Sequence, residues 1–413
     1  MAQKTGWTLI NKAEQNLAPV FARFEEIALY NQEKVLTAFK AEKVGTHHFT
    51  TSTGYGYGDL GRETLERVFA RAFGAEAALV RQQIVSGTHA INLGLSGLLR
   101  PGDELIFATG LPYDTLRTVC GLEGNAPGNL REYGVTVKAI PLLPDGRIDQ
   151  ERLLGSLTVR TRMVAFQRSC GYEDRRSFAI NDLAPVFAAL RRLPKPPIIF
   201  VDNCYGEFVE KEEPLAVGAD LIAGSLIKNP GAGWVPSGGY LAGKEALINQ
   251  VAARLYAPGL DGKVGPSLMN LRLFFQGLFD APHRVYEMLK AAALFAWVFA
   301  ELGYTVAPAP TDPRTDVIQR IDLRSPERLL AVCRSIQAIS PVDSYLTPEP
   351  AEMPGYQERV VMAAGTFING STSELTADAP FKPPYSLYFQ GSLSYLHAKV
   401  GLLSILEQLK IDS

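Results

Sequence analysis

The chain opens with a long run in which apolar positions return at helical spacing. Leu17, Val20, Phe21, Phe24, Ile27 and Leu36 predict one helix over residues 11–43. From Gly45 to Gly61 the pattern dissolves into glycines, tyrosines and threonines, a composition that cannot sustain a regular helix. This segment reads as too glycine-rich to anchor in its own domain. A short amphipathic helix is expected over 63–73. Between about 77 and 245 the period changes. Short apolar runs at 77–80, 104–107, 135–137, 163–166, 198–201 and 221–223 alternate with helical stretches. Such alternation predicts an α/β fold, a mostly parallel sheet with helices on both faces. A second long helix is read over 283–302, then strands at 304–306 and 315–319. A helix over 325–335 follows, with Ser325 as its cap and Pro326 in its first turn, and a last helix over 392–410. The expected division is an N-terminal helix and arm over 1–61, a large domain over 62–285, and a linking helix with a smaller C-terminal α/β domain over 286–413.

The chemistry-bearing residues gather at the ends of the predicted strands. The run Pro197-Ile198-Ile199-Phe200-Val201 reads as a buried parallel strand that ends in Asp202. The next apolar patch, Asp220 to Ser225, delivers Lys228, and glycines 231, 233, 238 and 239 follow. An Asp at a strand end is by itself a turn or cap residue, and a Lys in a loop is by itself a solvated one. Together and in this order they make the layout of a pyridoxal phosphate site. A lysine amine forms a Schiff base with the cofactor aldehyde, and a carboxylate keeps the pyridine nitrogen protonated so that the ring accepts electrons. Open α/β sheets bind ligands at the carboxyl ends of their strands, where Asp202 falls. Val85-Ser86-Gly87-Thr88-His89-Ala90 lies between a strand and a helix, and a helix N-terminus with small residues suits a phosphate. Ser-Gly-Thr is also an ordinary N-cap. Ser225 can add a hydroxyl to the phosphate, and Tyr113 can stack on the ring or serve as a core tyrosine.

Composition narrows the class further. The 413 residues are 46% apolar and 20% charged, with a net charge of −2. No basic run marks a nucleic-acid surface. The N-terminus lacks the apolar core of a secretion signal, and the longest apolar stretch, Ala291 to Ala300, is too short to cross a bilayer. Cys120, Cys170, Cys204 and Cys333 are scattered, with neither metal-ligand spacing nor a disulfide framework, which points to a reducing cytoplasm. His47-His48 has no third ligand nearby and reads as a solvated or hydrogen-bonded pair, so no metal is expected.

The stretches Tyr55–Arg62, Ser86–Ala90, Val201–Glu207, Gly224–Gly231 and Ala363–Ser371 carry a resemblance that covers most of the chain. The chain is similar to the fold-type-I pyridoxal phosphate enzymes, in the cystathionine-lyase and methionine γ-lyase group. Within that group it most resembles the aluminium-resistance, methionine γ-lyase-like family. The resemblance implies a sheet of the seven-stranded type, with Lys228 as Schiff-base lysine and Asp202 as partner of the pyridine nitrogen. It implies that the amides of Gly87 and Thr88 and the Ser225 hydroxyl hold the phosphate, with Ser86 at the head of that turn, and that Tyr113 stacks on the ring. It also implies that Tyr57 and Arg62 reach the phosphate of a neighbouring subunit, across a dimer or a dimer of dimers. The lyase group has a tighter Tyr-x-Arg, whereas Tyr57 and Arg62 lie five apart. Ile227 stands where that group often has a hydroxyl residue.

The expected activity is β- or γ-elimination at a carbon–sulfur bond of a small amino acid substrate. Transamination, decarboxylation or retro-aldol cleavage on the same cofactor is the first alternative. A regulator that binds the cofactor without catalysis is the second, and it would need an output module that the ends of this chain do not offer. Fold-type-I enzymes usually hold the substrate carboxylate with an arginine, yet no arginine follows Gly365. Lys382, Arg168 and Arg359 are the candidates for that role.

Overall fold

The computed structural model describes residues 2–353 and 358–409. In chain order the elements of the first half are α1 (Ala2–Ala41), α2 (Leu60–Phe73), β1 (Ala77–Arg81), α3 (Gly87–Leu98), β2 (Glu104–Phe107), α4 (Asp114–Cys120), β3 (Thr136–Ala139), α5 (Gln150–Gly155), β4 (Thr161–Gln167) and α6 (Ile180–Arg191). Then come β5 (Ile198–Asp202), β6 (Leu221–Ser225), β7 (Gly239–Gly243), α7 (Glu245–Leu255), α8 (Leu271–Glu301), β8 (Thr305–Ala307), β9 (Gln319–Asp322), α9 (Pro326–Ala338), β10 (Val360–Ala363), β11 (Thr376–Pro380), β12 (Ser386–Gln390) and α10 (Tyr395–Gln408).

Seven strands form one sheet in the order β1-β7-β6-β5-β4-β2-β3. Only β7 runs against its neighbours. The central strands β4, β5 and β6 are apolar and buried on both faces, which is why they read as continuous hydrophobic runs. One face packs on α1, α2, α6 and the first half of α8, and the other on α3, α4 and α7. A second sheet of five antiparallel strands, β10-β11-β12-β9-β8, builds the smaller unit with α9, α10 and the second half of α8. The mostly parallel α/β architecture with a smaller second domain is therefore as expected.

Three readings are corrected. The strand expected at 315–319 begins only at Gln319. Residues 315–318 are held as a turn, because Asp316 accepts the Ile318 amide at 3.0 Å and, through its other oxygen, the Ser169 hydroxyl at 2.9 Å. The helix expected at 283 starts at Leu271, where Asn270 caps it by accepting the Arg272 amide. Pro282 lies inside that helix, not before it. The Gly45–Gly61 segment is not loose. Ser52 donates its amide to the Ser267 carbonyl, and Gly265 donates its own to Tyr55. Gly56, with φ of 64°, lies against Pro266 so closely that a Cβ would meet Pro266 Cα at 2.7 Å.

Candidate active site

The carboxyl ends of β4, β5 and β6 assemble the site. Asp202, the last residue of β5, is buried, and its Oδ1 accepts the Cys204 amide at 3.1 Å. Among the described residues no cation forms an ion pair with it. Burial raises its pKa, while the charges of Lys228 and Arg175 act in the opposite sense. Lys228 caps a short 3-10 turn, Asn229–Gly231, just beyond β6. Its Nζ lies 3.7 Å from the centre of the Tyr205 ring, so the amine rests on an aromatic face. Burial lowers its pKa, but Tyr205, Cys204 and Asp202 outweigh burial and hold it above the ordinary lysine value. Tyr205 reaches this position because its backbone takes φ of 69°, turning the chain sharply after Asn203.

Beside this pair lies a cradle at the start of α3. Ser86 caps the helix by accepting the His89 amide at 3.0 Å, so its hydroxyl is committed to the turn. The Gly87 and Thr88 amides belong to the first turn, where no helical acceptor exists. A Cβ on Gly87 would come within 3.3 Å of Ser225 Cβ and 3.2 Å of Cys204 Sγ. The helix start, the end of β6 and the turn after β5 thus converge at one point, where an added Cβ would be crowded. Thr88 Oγ1 pairs with the Tyr113 hydroxyl at 2.9 Å, and the Tyr113 amide donates to Gln167 Oε1 at 2.9 Å. Burial first, and then the Asp202 charge, raise the Tyr113 pKa, so its phenol stays neutral. Free first-turn amides, a buried Ser225 and a carboxylate at the next strand end form a donor set that fits pyridoxal phosphate. Ser86, Gly87, Thr88, Tyr113, Asp202, Ser225 and Lys228 are therefore brought together.

The remaining expected residues lie elsewhere. Arg168 is fully buried behind the strand ends, and its donors are engaged. It donates to Asn203 Oδ1 at 2.9 Å, to the Gly206 carbonyl at 2.8 Å and to Glu210 at 2.6 Å. It braces the turn that carries Tyr205 and has nothing left for a substrate carboxylate. The Lys382 side chain is 58% exposed, 3.8 Å from Glu358, and Arg359 lies on the surface over the Phe381 ring. Arg62 is buried in its own chain, where it donates to the carbonyls of Gly56 at 2.7 Å and Gly265 at 2.6 Å. Tyr57 is 62% exposed and stacks on Tyr55. His48 accepts the Gly45 amide through Nδ1, and among the described residues no three potential ligands gather as a metal site.

Several site residues escaped the sequence reading. Arg175, in the loop after β4, feels the Asp202 charge and donates to the carbonyls of Gln167 and Ser169. The same loop carries Tyr172, whose hydroxyl donates to Asp378 Oδ2 on β11. Gln390 Nε2, on the neighbouring β12, donates to that same oxygen at 2.6 Å. Asp378 feels the charge of Lys228 and lies on the small-domain side of the site. Its apolar neighbours in sequence gave no sign of this. Only its bond to Tyr172 from the strand-end loop reveals it.

The seven-stranded sheet, the second sheet and the strand-end constellation define a fold-type-I protein of the pyridoxal phosphate-dependent class. The pyridoxal-5'-phosphate dependent protein YhfS from Escherichia coli shares that fold with a TM-score of 0.63 at 17% identity, over 94% of this chain and 97% of that one. The chain belongs to the methionine gamma-lyase family, which matches residues 7–410. The uncharacterized protein YnbB of Bacillus subtilis (strain 168) is 45% identical over 399 residues, 96% of this chain and 95% of that protein. A structure from Listeria monocytogenes, proposed to be a cystathionine beta-lyase involved in aluminum resistance, matches with 46% identity and a TM-score of 0.96, covering 97% of this chain and 99% of that one. A carbon-sulfur lyase involved in aluminum resistance from Clostridium novyi NT matches with 42% identity and a TM-score of 0.94, covering 98% and 96%. The protein is thus an enzyme of the pyridoxal phosphate-dependent, carbon–sulfur lyase-like kind. Among the described residues no helix is long and apolar enough to cross a membrane.

Proposed function

We propose that this chain binds pyridoxal 5'-phosphate and cleaves a carbon–sulfur bond of an amino acid by β- or γ-elimination, in the manner of a cystathionine β-lyase or methionine γ-lyase. The observation that carries the reading is the pair Asp202 and Lys228 at adjacent strand ends, with the α3 start and Ser225 converging beside them. When bound, the cofactor supplies an electron sink for the charge left when a proton leaves the carbon next to the substrate amine. Lys228 Nζ would hold the cofactor and then take that proton. Asp202 would keep a proton on the ring nitrogen. The Gly87 and Thr88 amides and the Ser225 hydroxyl would hold the phosphate, and Tyr113, a neutral phenol, would lie against the ring.

Arg175 is the cation assigned to the substrate carboxylate in place of Lys382, Arg168 and Arg359. It is the arginine that feels the Asp202 charge from the strand-end loops; its two terminal nitrogens already donate to the carbonyls of Arg176, Gln167 and Ser169, so it would meet a carboxylate through Nε. Tyr57, stacked and exposed, would serve the site of a second copy in a dimer or tetramer, with Arg62 fixing the shape of the arm that presents it. The four unpaired cysteines accord with a reducing cytoplasm. The functional division 1–61, 62–285 and 286–413 would place the cofactor in the large domain. Borohydride treatment of the yellow protein should fix the cofactor on the peptide carrying Lys228, and a panel of sulfur amino acids should yield keto acid and thiol. Labelling of another lysine removes the site assignment. Fixation at Lys228 without thiol release from any substrate removes the lyase assignment and leaves the cofactor.

A further inference from the structure

The turn that follows β5, residues 203–208, holds two non-glycine residues in the left-handed region, Tyr205 with φ of 69° and Phe208 with φ of 62°. A bulky side chain is uncommon there and persists only where the surroundings over-determine the backbone. Here they do. Asn203 is held between Arg168 Nη1, which donates to its Oδ1 at 2.9 Å, and Glu213, which accepts its Nδ2 at 2.8 Å. Glu213 also accepts the Phe208 amide at 3.0 Å, and Asn31 of α1 donates to the Phe208 carbonyl at 3.1 Å. Asn229, next to Lys228, donates its side-chain amide to the Glu207 carbonyl at 3.0 Å, so the turn and the lysine are fixed to each other. The two strained residues differ in what they touch. Phe208 packs in the core against Phe73, with ring centres 5.2 Å apart. Tyr205 is 9% exposed and turns its face to Lys228, with Nζ 3.7 Å from the ring centre. A cation over an aromatic face is attracted by it, more strongly where water is excluded, whereas a neutral amine gains little.

We propose that Tyr205 is a positioning residue for proton transfer, its ring face holding the Lys228 amine in place and favouring it as ammonium. The proposal rests on the reading above that Lys228 takes the substrate proton, but not on which bond is cleaved afterwards. In that step the proton passes from the carbon next to the substrate amine to Nζ. The bonding pair stays behind with the electron sink, and Nζ changes from amine to ammonium. The ring meets the product of this transfer better than the reactant, so it stabilises a charge that forms only as the reaction proceeds. Its place under Nζ also keeps the flexible four-carbon arm from swinging away once the substrate has displaced it. The face does this without the hydroxyl, so a phenyl ring should serve.

Tyr205→Phe and Tyr205→fluorophenylalanine variants with one, two and three ring fluorines test this, because fluorine drains the negative face with little change of volume. All are checked against wild type for cofactor content and thermal unfolding. In the cofactor-free full chain, acetylation of Lys228 by limiting acetic anhydride at about pH 8, read by mass spectrometry, reports the free-amine fraction. It should match wild type in Tyr205→Phe and rise stepwise along the series, to about tenfold with three fluorines. In the loaded protein, loss of the α-proton signal of alanine or norleucine in deuterated water reports proton transfer with no sulfur to lose. On its alkaline plateau this rate should stay near wild type in Tyr205→Phe and fall along the series by about tenfold. Reactivity that rises while exchange falls is a pattern that a ring needed only for packing would not give. Either rate staying flat along the series overturns the proposal. A Tyr205→Phe protein as slow as the trifluoro form also overturns it and passes the role to the hydroxyl. Absence of α-proton exchange in the wild type does so as well. Exchange without thiol release from any sulfur amino acid removes the lyase reading and leaves Tyr205 in its role.

Discussion

Two buried carboxylates that feel the charge of Lys228 are fixed in different ways. Asp202 ends a strand paired on both sides, and a backbone amide two residues on fixes its oxygen. Asp378 lies on an antiparallel strand of the other sheet, and side chains from two domains fix it, Tyr172 from the loop after β4 and Gln390 from β12. The first position depends only on the parallel sheet. The second exists only while the small domain is seated on the loop 169–178, which Asp174 and Asp316 also clamp through Arg320, Ser169 and Ser177. The carboxylate proposed to meet the cofactor thus sits on the rigid side, and the second carboxylate on the side that depends on docking.

Loss of the shared amine should have the largest effect. Lys228→Ala should reduce turnover by about a thousandfold or more, since both attachment and proton transfer go with it. Borohydride should then fix no cofactor. Turnover within tenfold of wild type would break the comparison at its centre. Next, Asp202→Asn should keep the fold and most cofactor content but cut turnover by roughly a hundredfold, because an amide cannot hold the ring nitrogen protonated. Equal losses of cofactor and activity would make Asp202 a binding residue instead.

A third buried carboxyl calibrates these two. Glu207 accepts the Tyr240 hydroxyl at 2.8 Å, its Oε2 has no partner, and burial pushes its pKa up to about 8. An acid with a folded pKa above its unfolded one binds more protons when folded. The fold therefore loses stability as pH climbs from about 4.5 through about 8, by up to about 1.4 kcal/mol per unit. Glu207→Gln mimics the protonated acid, so its stability relative to wild type should rise between pH 5 and pH 8. Parallel unfolding curves across that range would place the Glu207 titration elsewhere. The smallest effect is expected at the domain seam. Tyr172→Phe removes one of two donors to Asp378 and should cost about 1 kcal/mol of stability. It should leave cofactor content alone, as absorbance would show.

The parallel sheet was legible because strands buried on both faces write themselves as apolar runs, and the residue that ends each run faces the ligand. That logic yields Asp202, Lys228 and the Ser86–Thr88 turn directly. It fails in the second sheet. β11 is Thr376-Ala377-Asp378-Ala379-Pro380, small residues with weak strand preference, made into a strand by pairing on both sides. Arg168 shows the limit differently. Its place after a strand suggested a substrate contact, but its partners Asn203, Gly206 and Glu210 are 35 to 42 residues away in sequence. The Tyr172–Asp378 bond spans 206 residues, so no local pattern could announce it.

Helix α8, 31 residues and about 46 Å long, contributes Leu271 to Leu289 and Ala293 to one hydrophobic core, and Ala291, Ala292 and Leu294 to Phe299 mainly to the other. Neither unit can melt without stripping half of this helix of its packing, and a helix half bereft of tertiary support is marginal in water. The two units are consequently bound into a single cooperative transition. Amide protons near the middle of α8 should exchange only by global opening, and the seam that carries Asp378 is held together from behind by the same rod that passes beneath both sheets.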